Sequence, residues 1–269
     1  TLLTGLLSID NRAFVNCNGF TGSLTIPSGI TKINYESFCN CHGFNGNLNL
    51  PSGLLVIDNR AFYNCTGFTG TLTLPDKVTD INHDAFSFCS GFTGALSLPE
   101  SVVTINNRAF LNCTGFSGDL KLPSKLATLG QKAFSGCSGF DGVLTLDGSI
   151  TALPDDTFVD TKFKSVQFIG NADIPDCHSI GGIDASVVKV PENYNGDKFC
   201  DVSVDKSLAP VDDGGKKHGL STTVIIIICV VCGVVVIGIV VAVLCIISKK
   251  GKQKDTTVNA KLFNDGTSF

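Results

Sequence analysis

Residues 72–92 read L-T-L-P-D-K-V-T-D-I-N-H-D-A-F-S-F-C-S-G-F, and the string returns along the first 160 residues at a fixed spacing of 24 with no insertion or deletion. Working outward from it, one Phe recurs at Phe14, Phe38, Phe62, Phe86, Phe110, Phe134 and Phe158, and a second at Phe20, Phe44, Phe68, Phe92, Phe116 and Phe140. A cysteine column (Cys17, Cys41, Cys65, Cys89, Cys113, Cys137) and a glycine column (Gly22, Gly46, Gly70, Gly94, Gly118, Gly142) run in the same phase. A strict period in this range is the mark of a solenoid, each repeat one coil stacked on its neighbours.

A single coil cannot fold by itself, because its few apolar side chains do not offset the entropy of ordering its backbone. Stacking supplies what is missing, since each coil covers the open faces of the next. Within a coil, Leu24 and Ile26 alternate with Ser23 and Thr25, the period of two expected of a short strand with one buried face. The same segment in successive coils then forms one parallel sheet, ended by the Pro that follows it. Farther along, a small residue precedes each Phe (Ala13, Ser37, Ala61, Ala85, Ala109, Ala133), a spacing that suits a tight helical or 3₁₀ turn.

The string L-x-L-P followed by I-x-x-x-A-F-x-x-C-x-G-F resembles the BspA-like leucine-rich repeats, the treponemal type found on surface proteins of mucosal bacteria and of trichomonad parasites. The resemblance covers residues 1 to about 170 in seven coils. It implies a β-rich, right-handed solenoid with its parallel sheet on the concave side, and a surface protein associated with adhesion.

From Val224 to Ile247 the chain carries 24 consecutive uncharged residues. As a helix this run reaches roughly 36 Å, enough to cross a hydrocarbon core of about 30 Å. Lys249, Lys250, Lys252 and Lys254 follow it, against Lys216 and Lys217 before it, and the denser cluster is expected on the cytoplasmic side. The expected organisation is a solenoid over 1–170, a C-terminal cap over 171–204, a stalk over 205–223, a transmembrane helix over 224–247 and a cytoplasmic tail over 248–269. Cys229 with Gly233, and Gly238 with Ala242, are small residues four apart that allow weak helix–helix pairing in the membrane. The chain opens at Thr1 inside a coil and holds no Met, so further coils and an export signal are expected upstream.

Charge and cysteine usage narrow the function. The tail from 248 to 269 holds five Lys and two Asp, which leaves −7 on the remainder of a chain whose total is −4. Such an ectodomain offers no basic stripe for nucleic acid. Of the 12 cysteines, the six in the column read as small buried apolar residues with free thiols, bridges between neighbouring coils being the alternative. Cys177 and Cys200 lie outside the column, and a disulfide between them would tie the cap over the last coil, where F-x-x-V-x-F at 163–168 reads as a final, shorter strand. Each coil offers one thiol in the column and no His in phase, so no metal and no cofactor is expected. Asn64 and Asn112 open N-x-T sequons and are candidate glycan acceptors.

The four His are His42, His83, His178 and His218, and no metalloprotease, nucleophile-elbow, phosphate-loop or dinucleotide motif accompanies them. An enzyme is therefore not expected. The outward strand positions remain: Ser23 and Thr25, Asn47 and Asn49, Thr71 and Thr73, Ala95 and Ser97, Asp119 and Lys121, Val143 and Thr145. These change from coil to coil while the core columns do not, as a recognition face on a fixed scaffold requires. Ser23, Thr25, Asn47, Asn49, Thr71, Thr73, Ser97, Asp119 and Lys121 are the candidate ligand-binding residues. The expected partner is a protein or glycan on a host cell, the matrix or a neighbouring cell. The rival reading is an endocytic or signalling receptor acting through its tail, which ends in Thr267-Ser268-Phe269.

Overall fold

The structure, a computed structural model, describes residues 5–211 apart from Asp176, His178, Ser179, Asp184 and Val187. The expected membrane segment, tail and most of the stalk lie outside the described residues. Among the described residues, thirteen short strands follow one another: β1 (Leu24–Thr25), β2 (Lys32–Ile33), β3 (Leu48–Asn49), β4 (Val56–Ile57), β5 (Asp80–Ile81), β6 (Thr104–Ile105), β7 (Leu120–Lys121), β8 (Thr128–Leu129), β9 (Val143–Asp147), β10 (Ser165–Ile169), β11 (Val188–Pro191), β12 (Lys198–Phe199) and β13 (Val202–Leu208). Parallel partners in the repeats are 24 residues apart, as in Leu24↔Leu48 and Ile81↔Ile105, so each coil is one turn of a solenoid.

Two ladders, not one, run along the stack. The first joins the L-x-L segments with gaps: β1 pairs with β3, a single parallel bridge links Thr73 with Ser97, and β7 leads on through β9, β10 and β11 to β13. The second, β2-β4-β5-β6-β8, is continuous and all parallel. It is built on Ile33, Ile57, Ile81, Ile105 and Leu129, buried beside outward residues of every type, from Lys32 to Asp80. Within each coil the two segments are joined by a turn closed on the proline carbonyl, as in Val78 N–H to Pro75 O at 3.0 Å.

The segment expected to be helical or 3₁₀ is neither. Its odd-numbered N–H groups close local turns, Ala85 to Asn82 O, Ser87 to Asp84 O and Cys89 to Phe86 O, each at 3.1 Å. Its even-numbered N–H groups leave the coil, Phe86 donating to Ala109 O at 2.8 Å and Phe88 to Leu111 O at 2.7 Å. A helix needs every N–H within its own segment, and here half are spent on the neighbouring coil. The chain achieves this by placing every fourth residue in the left-handed region, Asp84 at φ 55° and Phe88 at 63°, with Arg60, Asn64, Arg108 and Asn112 at the equivalent positions. Each such residue costs on the order of 1 kcal/mol in backbone strain, which the axial hydrogen bonds offset.

The core is two parallel files of phenylalanine. Phe62, Phe86 and Phe110 stack at 5.4 Å with interplanar angles of 10° and 7°. The second file stacks in the same way, Phe44 on Phe68 at 5.4 Å, and the files meet edge to face, as at Phe86 and Phe92. Column thiols sit between them and are free: Cys41, Cys65, Cys89, Cys113 and Cys137 each donate to the carbonyl of the Phe 27 residues earlier, at 2.8 to 3.0 Å. Burial pushes Cys41 up to about 11 and Cys89 to about 12.

Toward the end the period shortens. The register offset falls to 22 residues between β9 and β10 and between β10 and β11, then to 16 between β11 and β13. β10 is five residues long and is followed by two further parallel strands, so 163–168 is neither short nor final. β12 folds back antiparallel on β13, occupying the edge that a bare parallel strand would leave open. Since β13 runs to Leu208, the first residues of the expected stalk are strand. Cys177 and Cys200 are joined by a disulfide with their Cα atoms 4.6 Å apart.

Candidate functional site

Every outward position of the L-x-L segments from Ser23 to Lys121 is exposed, while Leu24, Leu48, Leu72, Leu96 and Leu120 between them are buried. The alternation that defines the strand therefore also defines the face. Several of these residues are occupied by the neighbouring coil. Ser23 Oγ accepts the Asn47 N–H at 3.0 Å, Asn49 Nδ2 donates to Thr25 Oγ1 at 3.1 Å, and Asp119 Oδ1 accepts the Val143 N–H at 2.7 Å. Lys121 Nζ pairs with Glu100 Oε1 at 3.1 Å. By contrast, the side chains of Asn47, Thr71, Thr73 and Ser97 make no hydrogen bond among the described residues. Their donors and acceptors are available to a ligand.

Three of those four converge. Asn47, Thr71 and Thr73 line a groove of about 800 Å³ together with Asn49, Ser52 and Asp76. Its cause is a break in the first ladder: β3 pairs only backward, with β1. Between Gly46 O, which accepts the Thr69 N–H at 3.0 Å, and Leu55 O, which accepts that of Thr79 at 2.9 Å, no backbone hydrogen bond crosses this coil boundary. The second ladder holds the same two coils together through Val56↔Asp80 and Ile57↔Ile81. The coils are thus clamped on one side and unpaired on the other. A similar opening lies two boundaries on, where Ser97, Glu100, Asp119 and Lys121 line a groove of about 470 Å³.

The two grooves differ in chemistry. Around Asn47 the polar lining is mostly amide and hydroxyl, beside Leu48, Leu50, Leu74 and Pro75 and with Asp76 and Lys77. Around Lys121 it is charged. Glu100 accepts from the Ser124 N–H and hydroxyl, both at 2.8 Å, and from Lys121, and these bonds pull its carboxyl down to about 2. Ser52, Asp76, Lys77 and Glu100 were not among the residues expected from alternation. They follow the strand-ending prolines, and the shared position after Pro51, Pro75 and Pro99 was the signal that would have placed them at one end of the face.

Other sequence candidates lie elsewhere. Asn64 is half-buried, and its Nδ2 donates to Asn40 Oδ1 at 3.0 Å, which in turn continues a ladder to Asn16. Asn112 occupies the same left-handed position two coils on. Cys177 and Cys200 belong to the terminal coils, away from both grooves. No group of His, Cys, Asp and Glu among the described residues is arranged to hold a metal ion.

Comparison with known proteins places this architecture. The BspA type leucine rich repeat region matches residues 7–138 and 57–178, in six copies. Among solved structures, a leucine-rich repeat protein from Bacteroides ovatus is similar, at 15% identity and a TM-score of 0.39 over 72% of this chain and 68% of that one. No curated protein matches the sequence. With six copies of the repeat in register across most of its described length, the chain belongs to the BspA-type leucine-rich-repeat family.

Proposed function

We propose that this protein stands on the cell surface, repeats outward, and binds a ligand on a host cell, the matrix or a neighbouring cell through the L-x-L face. The observation that carries the reading is the groove at Asn47, Thr71 and Thr73, where unengaged polar side chains meet at an open coil boundary. Membership of a leucine-rich-repeat family favours a protein-binding role, since such repeats present extended surfaces rather than enclosed pockets. The uncharged run from Val224 to Ile247, followed by lysines, supports anchoring with the repeats outside.

The face lacks the aromatic and arginine anchors of a tight interface. Binding is therefore weak per molecule and made effective by many copies on one membrane. The test is to express the full chain on a non-adherent cell, label intact cells with antibody to the repeats, and score retention on surfaces coated with host cells, mucin or matrix proteins. The reading expects labelling without permeabilisation and retention on at least one surface. Labelling only after permeabilisation, or retention on none, contradicts it.

A further inference from the structure

In the first pair of coils the N–H groups of Leu24 and Ile26 donate to Asn47 O and Asn49 O, both at 3.0 Å. The equivalent bonds one coil on, from Leu48 N–H to Thr71 O and from Leu50 N–H to Thr73 O, are not formed. Two main-chain donors therefore belong to one wall of the Asn47 groove and two main-chain acceptors to the other, beside the unengaged side chains of Asn47, Thr71 and Thr73. Such groups are costly to leave unpaired, so water holds them until a ligand does. A ligand that displaces this water must offer acceptors to one wall and donors to the other.

We propose that the ligand of this groove is a neutral glycan, a reading that rests on the binding role proposed above for the same face. A hydroxyl donates and accepts at a single oxygen, so the hydroxyls of a sugar satisfy either wall. The rival ligand that carries donors and acceptors in alternation is an extended peptide inserted between the coils as a strand. It requires the coils to part by a further strand spacing of about 4.8 Å. They are held too closely for that: Thr69 N–H reaches Gly46 O at 3.0 Å, Thr79 N–H reaches Leu55 O at 2.9 Å, and Phe44 stacks on Phe68 at 5.4 Å.

The remaining lining agrees with a sugar. Half-buried Leu50 and Pro75 offer apolar surface to the C–H face of a ring. Charge selects against sialylated and sulfated glycans, because Asp76 and Lys77 offset one another in the groove and residues 1–247 together carry −7.

The test applies the purified full chain in detergent, paired by a bivalent antibody, to a printed array of neutral, sialylated and sulfated glycans. At least one neutral glycan should bind at least about tenfold above the charged ones, with no loss as salt is raised. Thr71→Val and Thr73→Val together remove two hydroxyls that bond to nothing among the described residues and keep the β-branched shape, so the fold is retained. Binding by that variant should fall at least about fivefold, while Thr31→Val, at an exposed position beside the closed ladder, leaves it unchanged. Binding to no neutral glycan, equal or tighter binding to charged glycans, or full binding by the double variant overturns the proposal. Cells displaying the chain are scored in parallel on a ligand-coated surface before and after periodate oxidation of its sugars. Loss of retention supports the glycan. Retention that survives overturns it and leaves the surface-binding role standing on protein, whereas no retention before oxidation contradicts that role and leaves the array to decide the ligand.

Discussion

The thiol of Cys89 donates to the carbonyl oxygen of Phe62 across 3.0 Å, from one coil to the one before it. The same oxygen accepts the Cys65 N–H at 3.2 Å, so the thiol satisfies a second lone pair in a site with no access for water. Burial drives the Cys89 thiol from an ordinary 9.0 up to about 12. A thiol whose folded value is raised contributes stability that is complete below the unfolded value and lost as pH rises through the folded one. Urea midpoints should therefore be flat to about pH 8 and fall between about pH 9 and 12. In native protein at pH 8, a thiol reagent should modify half-exposed Cys17 and leave Cys89 intact. Cys89→Ala should cost about 1 to 3 kcal/mol, combining a small cavity with the loss of one of the two hydrogen bonds to a buried carbonyl.

Phe86 stacks on Phe62 and Phe110 and meets Phe92 edge-on. Phe86→Ala should cost about 3 to 5 kcal/mol by urea denaturation. Because adjacent coils support one another, hydrogen exchange should quicken at Phe62 and Phe110 before it does at distant coils.

Two glycines should respond for different reasons. A Cβ on Gly91 would overlap the carbonyl oxygen of Phe68 in the preceding coil, whereas Gly118 faces open space but sits at φ 76°. Gly118→Ala should cost about 1 kcal/mol, the left-handed penalty alone, and Gly118→Asn less. Gly91→Ala should cost more, about 1 to 3 kcal/mol, since it forces two coils apart.

Glu100 offers a test in acid. Its hydrogen bonds from Ser124 and Lys121 lower its carboxyl from 4.5 to about 2, so its contribution is present above about pH 4.5 and lost as pH falls toward 2. Half the side chain is exposed, which keeps the effect small. NMR titration should show the Glu100 carboxyl changing state near pH 2, and an ordinary value near 4.5 would mean the Ser124 contacts do not form in solution.

Comparison of sequence and structure shows what a repeat pattern can carry. The Phe, Cys and Leu columns were legible because burial admits few side chains at those sites. The second ladder was not, because it is two residues wide and its outward member is Lys32, Val56, Asp80 or Thr104 by turns. Nor was the turn ribbon, since Ala85, Phe86 and Cys89 have the spacing of a helical turn, and a left-handed Arg60 looks like any other Arg. At the candidate site, alternation picked out the exposed positions. It could not separate Thr71, which is free, from Asn49, which Thr25 holds, because that depends on whether the next coil is paired.

The most direct test of the central claim compares two triple variants of the full chain displayed on cells. Asn47→Lys, Thr71→Lys and Thr73→Lys together place three charges in the open groove, while Thr31→Lys, Val103→Lys and Ala127→Lys add the same charge to exposed positions beside the closed ladder. Retention on a ligand-coated surface should fall at least about tenfold for the first and stay within about twofold for the second. Equal retention by both variants would contradict the account.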